Sequence, residues 1–264
     1  MANFGKLYLD ISYNDIWKNA AAVRKDILIH KVLVFKNIIT TLESQIKLMD
    51  YLYPSSNHLR ILKDVDHSPL FDLFSSNEQS IPGKDDHFAR WHTDDSWLEE
   101  PVDIDCIHMH HLDKEVIGGQ TRWVDLEKIY TLLDSATLEF FKNIKIKKQW
   151  NADDNNDPLH RDNAEQIVYP HLRTHPETGN ISIYYFGPAA TAENQDDLIK
   201  YNKILFDLFE DQNNFFAHNW EKNDLVIWDN RCTAHCLMGG FSLGSRIFNK
   251  VEIGKSKPFY SEAV

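Results

Sequence analysis

The feature that most constrains this chain is its rhythm from about residue 104 onward. Short, strand-like runs follow one another between turns, with a helix only now and then. Ile104 to His111 (IDCIHMHH) alternates in part, Gly118 to Asp125 (GGQTRWVD) reads as a turn feeding a strand, and Lys145 to Trp150 reads as another. His171 to Phe186 predicts a hairpin turning at Pro176 to Asn180, and FFAHNW, LVIWDN and RIFNKVEI supply further strands. Helices are expected over Leu126 to Asn143, broken near Asp134, and over Ala192 to Glu210. Many strands, few helices and no βαβ alternation predict a mainly β fold, a sandwich or jelly-roll barrel with helices packed outside. A parallel nucleotide-binding sheet is disfavoured, because no GxGxxG follows a strand and no GK[ST] loop occurs.

Ahead of this region the sequence predicts a strand at Leu7 to Ile11, a helix from Asn14 to Leu28 and an apolar run at Val32 to Asn37. Thr40 and Glu43 suggest a capping box for a helix through Tyr51. Residues 54 to 90 read as loop with short helical pieces. The 264 residues suit one domain, with the polar stretch 151 to 166 as a lid loop over it. Forty acidic residues stand against 28 basic, a net charge of −12 that repels phosphate backbones and argues against a nucleic-acid partner. No run approaches the roughly 18–20 apolar residues of a membrane span, and no secretory leader opens the sequence, so the expectation is a cytoplasmic protein with no membrane partner. A homo-oligomer is compatible with all of this. The three cysteines, Cys106, Cys232 and Cys236, suit reduced thiols better than a disulfide framework. A zinc site at Cys232 and Cys236 lacks a second ligand pair at finger-like spacing.

The chemistry concentrates in two segments. In WHTD, Trp91 to Asp94, the histidine and the aspartate are two apart, so a strand would point both to one face. A lone His-x-Asp is common by chance. In the second segment, Trp228 to Lys250, His235 offers a third ligand, and Arg246 follows eleven positions later. Two histidines and one carboxylate are the facial triad that leaves open positions on Fe(II). A planar guanidinium nearby binds a carboxylate bidentately. Asp229 and Arg231 read as structural hydrogen-bonding residues, as do His175 and Glu177 of RTHPETG. His108, His110 and His111 cannot all face one ion on a strand.

The ordered set WHTD, GGQT-W, RTHPETG and WDNRCTAH, with Arg246 at its distance, resembles the taurine dioxygenase (TauD/TfdA) family between Trp91 and Lys250. The resemblance implies a double-stranded β-helix, the cupin-like jelly roll. It implies His92, Asp94 and His235 as Fe(2+) ligands, and 2-oxoglutarate and O2 as cosubstrates. Thr121 and Arg246 would meet the carboxylates of 2-oxoglutarate. The implied activity is hydroxylation of an unactivated C–H bond in a small molecule, with desaturation or cyclisation, a protein substrate, or metal binding without turnover as the rival outcomes. Related halogenases lack a carboxylate at the position of Asp94, which therefore favours oxygenation. Sulfonate-using members carry arginine where this chain has Lys250, and His87, Phe88 and Ala89 precede WHTD, so taurine is not the expected substrate. A small polar metabolite such as an amino acid or its derivative is, with His67, Phe88 and Lys250 as its candidate contacts.

Overall fold

The computed structural model describes residues 4–54, 58–65, 91–148 without 97 and 117, 171–238 without 186, 188 and 189, and 241–261 without 243. Two sheets face one another. The larger contains β1 (Lys6–Tyr8), β2 (Val32–Phe35), β3 (Leu59–Val65), β4 (Val102–Leu112), β11 (Leu225–Asp229) and β13 (Arg246–Lys255), in the order β1-β2-β11-β4-β13-β3. The smaller is β10 (Phe215–His218), β5 (Thr121–Asp125) and β12 (Thr233–Leu237), in that order. Two-stranded pairs, β6 (Ile146–Lys148) with β9 (Ala190–Ala192) and β7 (Leu172–Thr174) with β8 (Ile181–Ile183), complete the β structure of the described residues. The mainly β jelly-roll expectation holds.

Strand periodicity explains the layering. On β11, Leu225 and Ile227 turn outward to a core shared with α1 (Tyr13–Lys18), α2 (Ala20–His30) and α3 (Leu42–Leu52). Val226 and Trp228 turn inward to Trp123 of the smaller sheet. On β5 and β12, Val124, Ala234 and Cys236 face a third cluster built with α4 (Leu126–Leu132), α5 (Ser135–Asn143) and α6 (Gln195–Phe209). Trp123 and His235, paired across those strands, therefore point the opposite way, into the space between the sheets. Each helix group covers one outer face, so the inner faces are left for chemistry.

Four local expectations are corrected. Residues 59–65 form a strand where loop and helical pieces were expected. Leu59, Ile61 and Leu62 are exposed on this sheet edge, so no burial alternation marks it in the sequence. β1 and β2 pair in parallel across α1 and α2, the one parallel pairing among the described strands. The expected helix 14–28 is broken at Asn19 and runs on to His30. Thr41, not Thr40, caps α3: its hydroxyl accepts from the Ser44 amide, so the box from Thr40 to Glu43 does not form. The proposed lid at 151–166, and residues His67, Phe88 and Trp97, lie outside the described residues.

Candidate active site

His92 and His235 are direct cross-strand partners. The His92 amide donates to the His235 carbonyl at 2.9 Å and the His235 amide returns the bond at 2.8 Å. Their rings are 4.2 Å apart between centroids. His235 is at the centre of β12. Asp94 completes the group: its Oδ1 lies 3.6 Å from His92 Nε2 and its Oδ2 lies 3.7 Å from His235 Nε2. One ligand atom from each of the three falls within 4.8 Å of the others. Two neighbours fix Asp94. Asn230 accepts from its amide at 3.0 Å and donates to its carbonyl at 2.9 Å, while Asp95 turns the chain away at φ 53°. Asn230 is thus a clamp on the WHTD segment that the sequence did not single out.

The electrostatics suit a cation. Burial, with the neighbouring His92, pushes the His235 imidazole down to about 3, which keeps its nitrogen unprotonated. Burial alone would raise the Asp94 carboxyl, but Lys250 and then the two histidines hold it well below the usual carboxylate range. Trp228 and Trp123 flank the His235 ring at centroid distances of 5.3 and 6.4 Å. For an octahedral ion with bonds of about 2.1 Å, adjacent donors stand about 3.0 Å apart, so the 3.6 and 3.7 Å separations must close by about 0.6–0.7 Å. The donor set fits the ion.

Thr121 lies on the same small sheet as His235, and Arg246 lies on β13 of the larger sheet. Thr121 pairs with Leu237 exactly one two-residue step from the Trp123–His235 pair, so it shares the inner face with His235 at roughly 7 Å along the strand. Trp220 Nε1 donates to Thr121 Oγ1 at 2.8 Å. That leaves the threonine's own O–H to donate elsewhere. Arg246 is 3% exposed, and its Nη1 donates to the Gly119 carbonyl at 2.7 Å. Among the described residues no carboxylate pairs with it, its Nε has no partner, and burial pushes its guanidinium down to about 10. Gly119, at φ 67°, is required here, because a Cβ would lie 2.6 Å from that guanidinium. A cavity of about 280 Å³ opens on Gly118, Gly119, Asn219, Trp220 and Arg246. A buried guanidinium short of an anion and a threonine hydroxyl with its proton free to donate, both against Trp220, have the donor chemistry that suits a carboxylate.

Other expectations sort cleanly. Cys236 faces the outer cluster, away from His235, so no zinc site joins them. His108 is buried with its Nε2 on the Ile38 carbonyl, whereas His110 and His111 pair with Asp64 and Asp113. Lys250 does not present its ammonium to open space. It is embedded among carboxylates, and this redirects the substrate-contact expectation. Trp220 and Asn230 were missed, and their only sequence signal was membership of the FFAHNW and WDNR segments.

The fold and the site together define a class: double-stranded β-helix proteins with two histidines and one carboxylate gathered on the inner face. Within it, the chain belongs to the taurine catabolism dioxygenase TauD, TfdA family, whose model matches residues 2–249. It is 23% identical to an alkylsulfatase of Acinetobacter baylyi over 62% of this chain and 56% of that one. It is 24% identical to the (S)-phenoxypropionate/alpha-ketoglutarate-dioxygenase of Sphingobium herbicidovorans over 89% of this chain and 86% of that one. The match spans little more than half the length of several of these relatives, 56%, 54% and 53% among them. The fold matches AAD-2 in complex with Mn(II) and N-oxalylglycine at TM-score 0.73, with 17% identity, covering 97% of this chain and 95% of that one. A taurine dioxygenase from Burkholderia xenovorans matches at TM-score 0.71 with 17% identity, covering 97% and 89%.

Proposed function

We propose that this protein is an Fe(II)- and 2-oxoglutarate-dependent dioxygenase that hydroxylates an unactivated C–H bond of a small polar metabolite. The observation that carries this reading is the combination of two features. The His92, Asp94 and His235 donors converge. Thr121, one two-residue step along the sheet from the Trp123–His235 pair, is linked through Trp220 to a buried Arg246 that lacks a carboxylate among the described residues. In this reading the three donors hold Fe(II), which when bound couples O2 reduction to oxidative decarboxylation of 2-oxoglutarate to succinate and CO2. Arg246 and the Thr121 hydroxyl hold a cosubstrate carboxylate, and Trp220 orients that hydroxyl by occupying its oxygen. Trp123 and Trp228 exclude water from the buried side of His235. Family relatives named for alpha-ketoglutarate support the cosubstrate, and the neighbour holding Mn(II) and N-oxalylglycine supports metal beside a dicarboxylate.

The substrate we favour is an amino acid or a derivative of one, and the protein's partners are small molecules rather than nucleic acid or membrane. No helix among the described residues is long and apolar enough to cross a membrane. The deciding experiment is anaerobic addition of Fe(II) and then 2-oxoglutarate, watching for the visible metal-to-ligand charge-transfer band of the chelate. Wild type should develop it and His235→Ala should not. No band in wild type, or an equal band in the variant, refutes the reading.

A further inference from the structure

Lys250 occupies an unusual place. On β13 it shares a face with Glu252, two residues on, and the register sets that pair opposite Ile107 and Asp105 of β4. Its ammonium therefore has an acidic residue on its own strand and another on the neighbouring strand. Nζ lies 2.9 Å from Glu252 Oε1 and 3.0 Å from Asp105 Oδ1, both buried carboxylates. From this base it donates to Asp94 Oδ2 at 2.8 Å. The anchors are themselves braced: Arg60 pairs with Glu252 and, at 3.0 Å, with Asp95 beside the metal-binding segment. Trp228 closes another side, with Nζ 5.5 Å from its ring centre. An ammonium with three carboxylates around it has little charge left for an anionic substrate.

We propose that Lys250 is a positioning residue for Asp94 and not a substrate anchor. Held by Lys250, Oδ2 is withheld, so Asp94 offers the metal Oδ1 alone. This inference rests on the proposed metal site. Its physical point is coordination number. A carboxylate with both oxygens free readily chelates a cation bidentately. Two histidines and a chelating carboxylate would leave two of six positions, whereas bidentate 2-oxoglutarate and O2 need three. Lys250 keeps the third position open by occupying an oxygen, without touching cosubstrate or substrate.

Two measurements test it. In wild type loaded with Mn(II) alone, oxygen-17 water broadening of the electron paramagnetic resonance signal should count three bound waters. Two would overturn the proposal. Lys250→Met/Asp105→Asn removes one positive and one negative buried group together. It should bind Mn(II) with two waters and lose about 10- to 100-fold in 2-oxoglutarate affinity, the usual scale for groups that orient a ligand. Lys250→Arg, which keeps a donor to Oδ2, should recover most of that affinity. Unchanged 2-oxoglutarate affinity in the double variant, or loss of Mn(II) binding itself, overturns the positioning role. Failure of wild type to bind Mn(II) at all would instead overturn the metal site on which the inference depends.

Discussion

Among the described residues, two clusters have the ligand spacing of a metal site, and their donors are engaged in different ways. His175, Asp229 and Cys232 bring ligand atoms as close together as His92, Asp94 and His235 do. In the first cluster the aspartate and histidine lone pairs are engaged. Asp229 Oδ1 accepts from the Arg231 amide and Nε at 3.0 and 2.9 Å, and Oδ2 accepts from Arg231 Nη2 at 2.7 Å. His175 Nδ1 accepts the amides of Glu177 and Thr178, so its proton sits on Nε2, 3.0 Å from Asp229. Burial pushes the Cys232 thiol well above its ordinary value, away from the thiolate a metal needs. The second cluster holds its histidine nitrogens 3.6 and 3.7 Å from Asp94, too far for hydrogen bonds, with part of His92 open to solvent. Ligand spacing finds both clusters. What differs is what engages them: in the first cluster Asp229 is bonded to His175 and Arg231, whereas in the second Asp94 lies beyond hydrogen-bond distance of both histidines.

The largest effect that could break this contrast is expected at Asp229. Asp229→Asn leaves Arg231 buried without its main counter-ion and should cost about 3–5 kcal/mol of stability. The folded fraction should still take up Mn(II) with unchanged stoichiometry. Loss of Mn(II) uptake in folded variant would make the first cluster part of the site. The pH dependence sharpens the same point. Burial alone would raise the Asp229 carboxyl, but Arg231 and then His175 hold it well below the usual carboxylate range. A depressed folded value means that the contribution is complete above the unfolded carboxylate value of ~3.9 and fades as pH falls below it. Urea unfolding should therefore show a constant gap between wild type and variant from pH 7 down to about 4.5, narrowing below. A gap that widened on acidification would contradict the assignment.

The two clusters were unequally legible in the sequence. His92, Asp94, His235 and Arg246 could be nominated because their residue types and spacings carry the chemistry, whereas Thr121 entered only through the family resemblance. The strand period then explains why Thr121, Trp123 and His235 share a face. Asp229, Arg231, His175 and Glu177 were also readable as structural, because Arg231 reaches from Asp229 to Glu177 at 2.7 Å across the β7–β8 turn of RTHPETG. What stayed hidden depends on register between distant strands. Lys250 meets Asp105 only because β13 lies beside β4, a pairing of residues more than a hundred positions apart. Trp220 reaches Thr121 across 99 positions. The edge strand β3 hid for a different reason, since its exposed residues carry no burial pattern. Residue type reveals candidate ligands, and the sheets decide what holds them.

The remaining tests ask whether the open site is open in the way its donors suggest. Arg246→Met removes the guanidinium but keeps much of its length against Phe241, whose ring lies 4.8 Å from the charge. A charge-assisted bidentate contact is worth about 2–3 kcal/mol, so 2-oxoglutarate affinity should fall roughly 30- to 150-fold, with Mn(II) affinity unchanged. A parallel fall in Mn(II) affinity would mean that Arg246 supports the fold of the site and not the cosubstrate. Trp220→Phe is the finer probe. It keeps the ring beside Arg246, 5.8 Å away, and deletes only the N–H that occupies Thr121 Oγ1. The hydroxyl then rotates freely and donates to the cosubstrate for only part of the time. One neutral hydrogen bond is worth about 0.5–1.5 kcal/mol, so 2-oxoglutarate should bind roughly 2- to 12-fold more weakly. The discriminating variant is Thr121→Val, which removes the hydroxyl itself. If Trp220 acts only through Thr121, adding Trp220→Phe to Thr121→Val should produce no further loss in 2-oxoglutarate affinity. An additive loss would show that Trp220 contacts the cosubstrate directly.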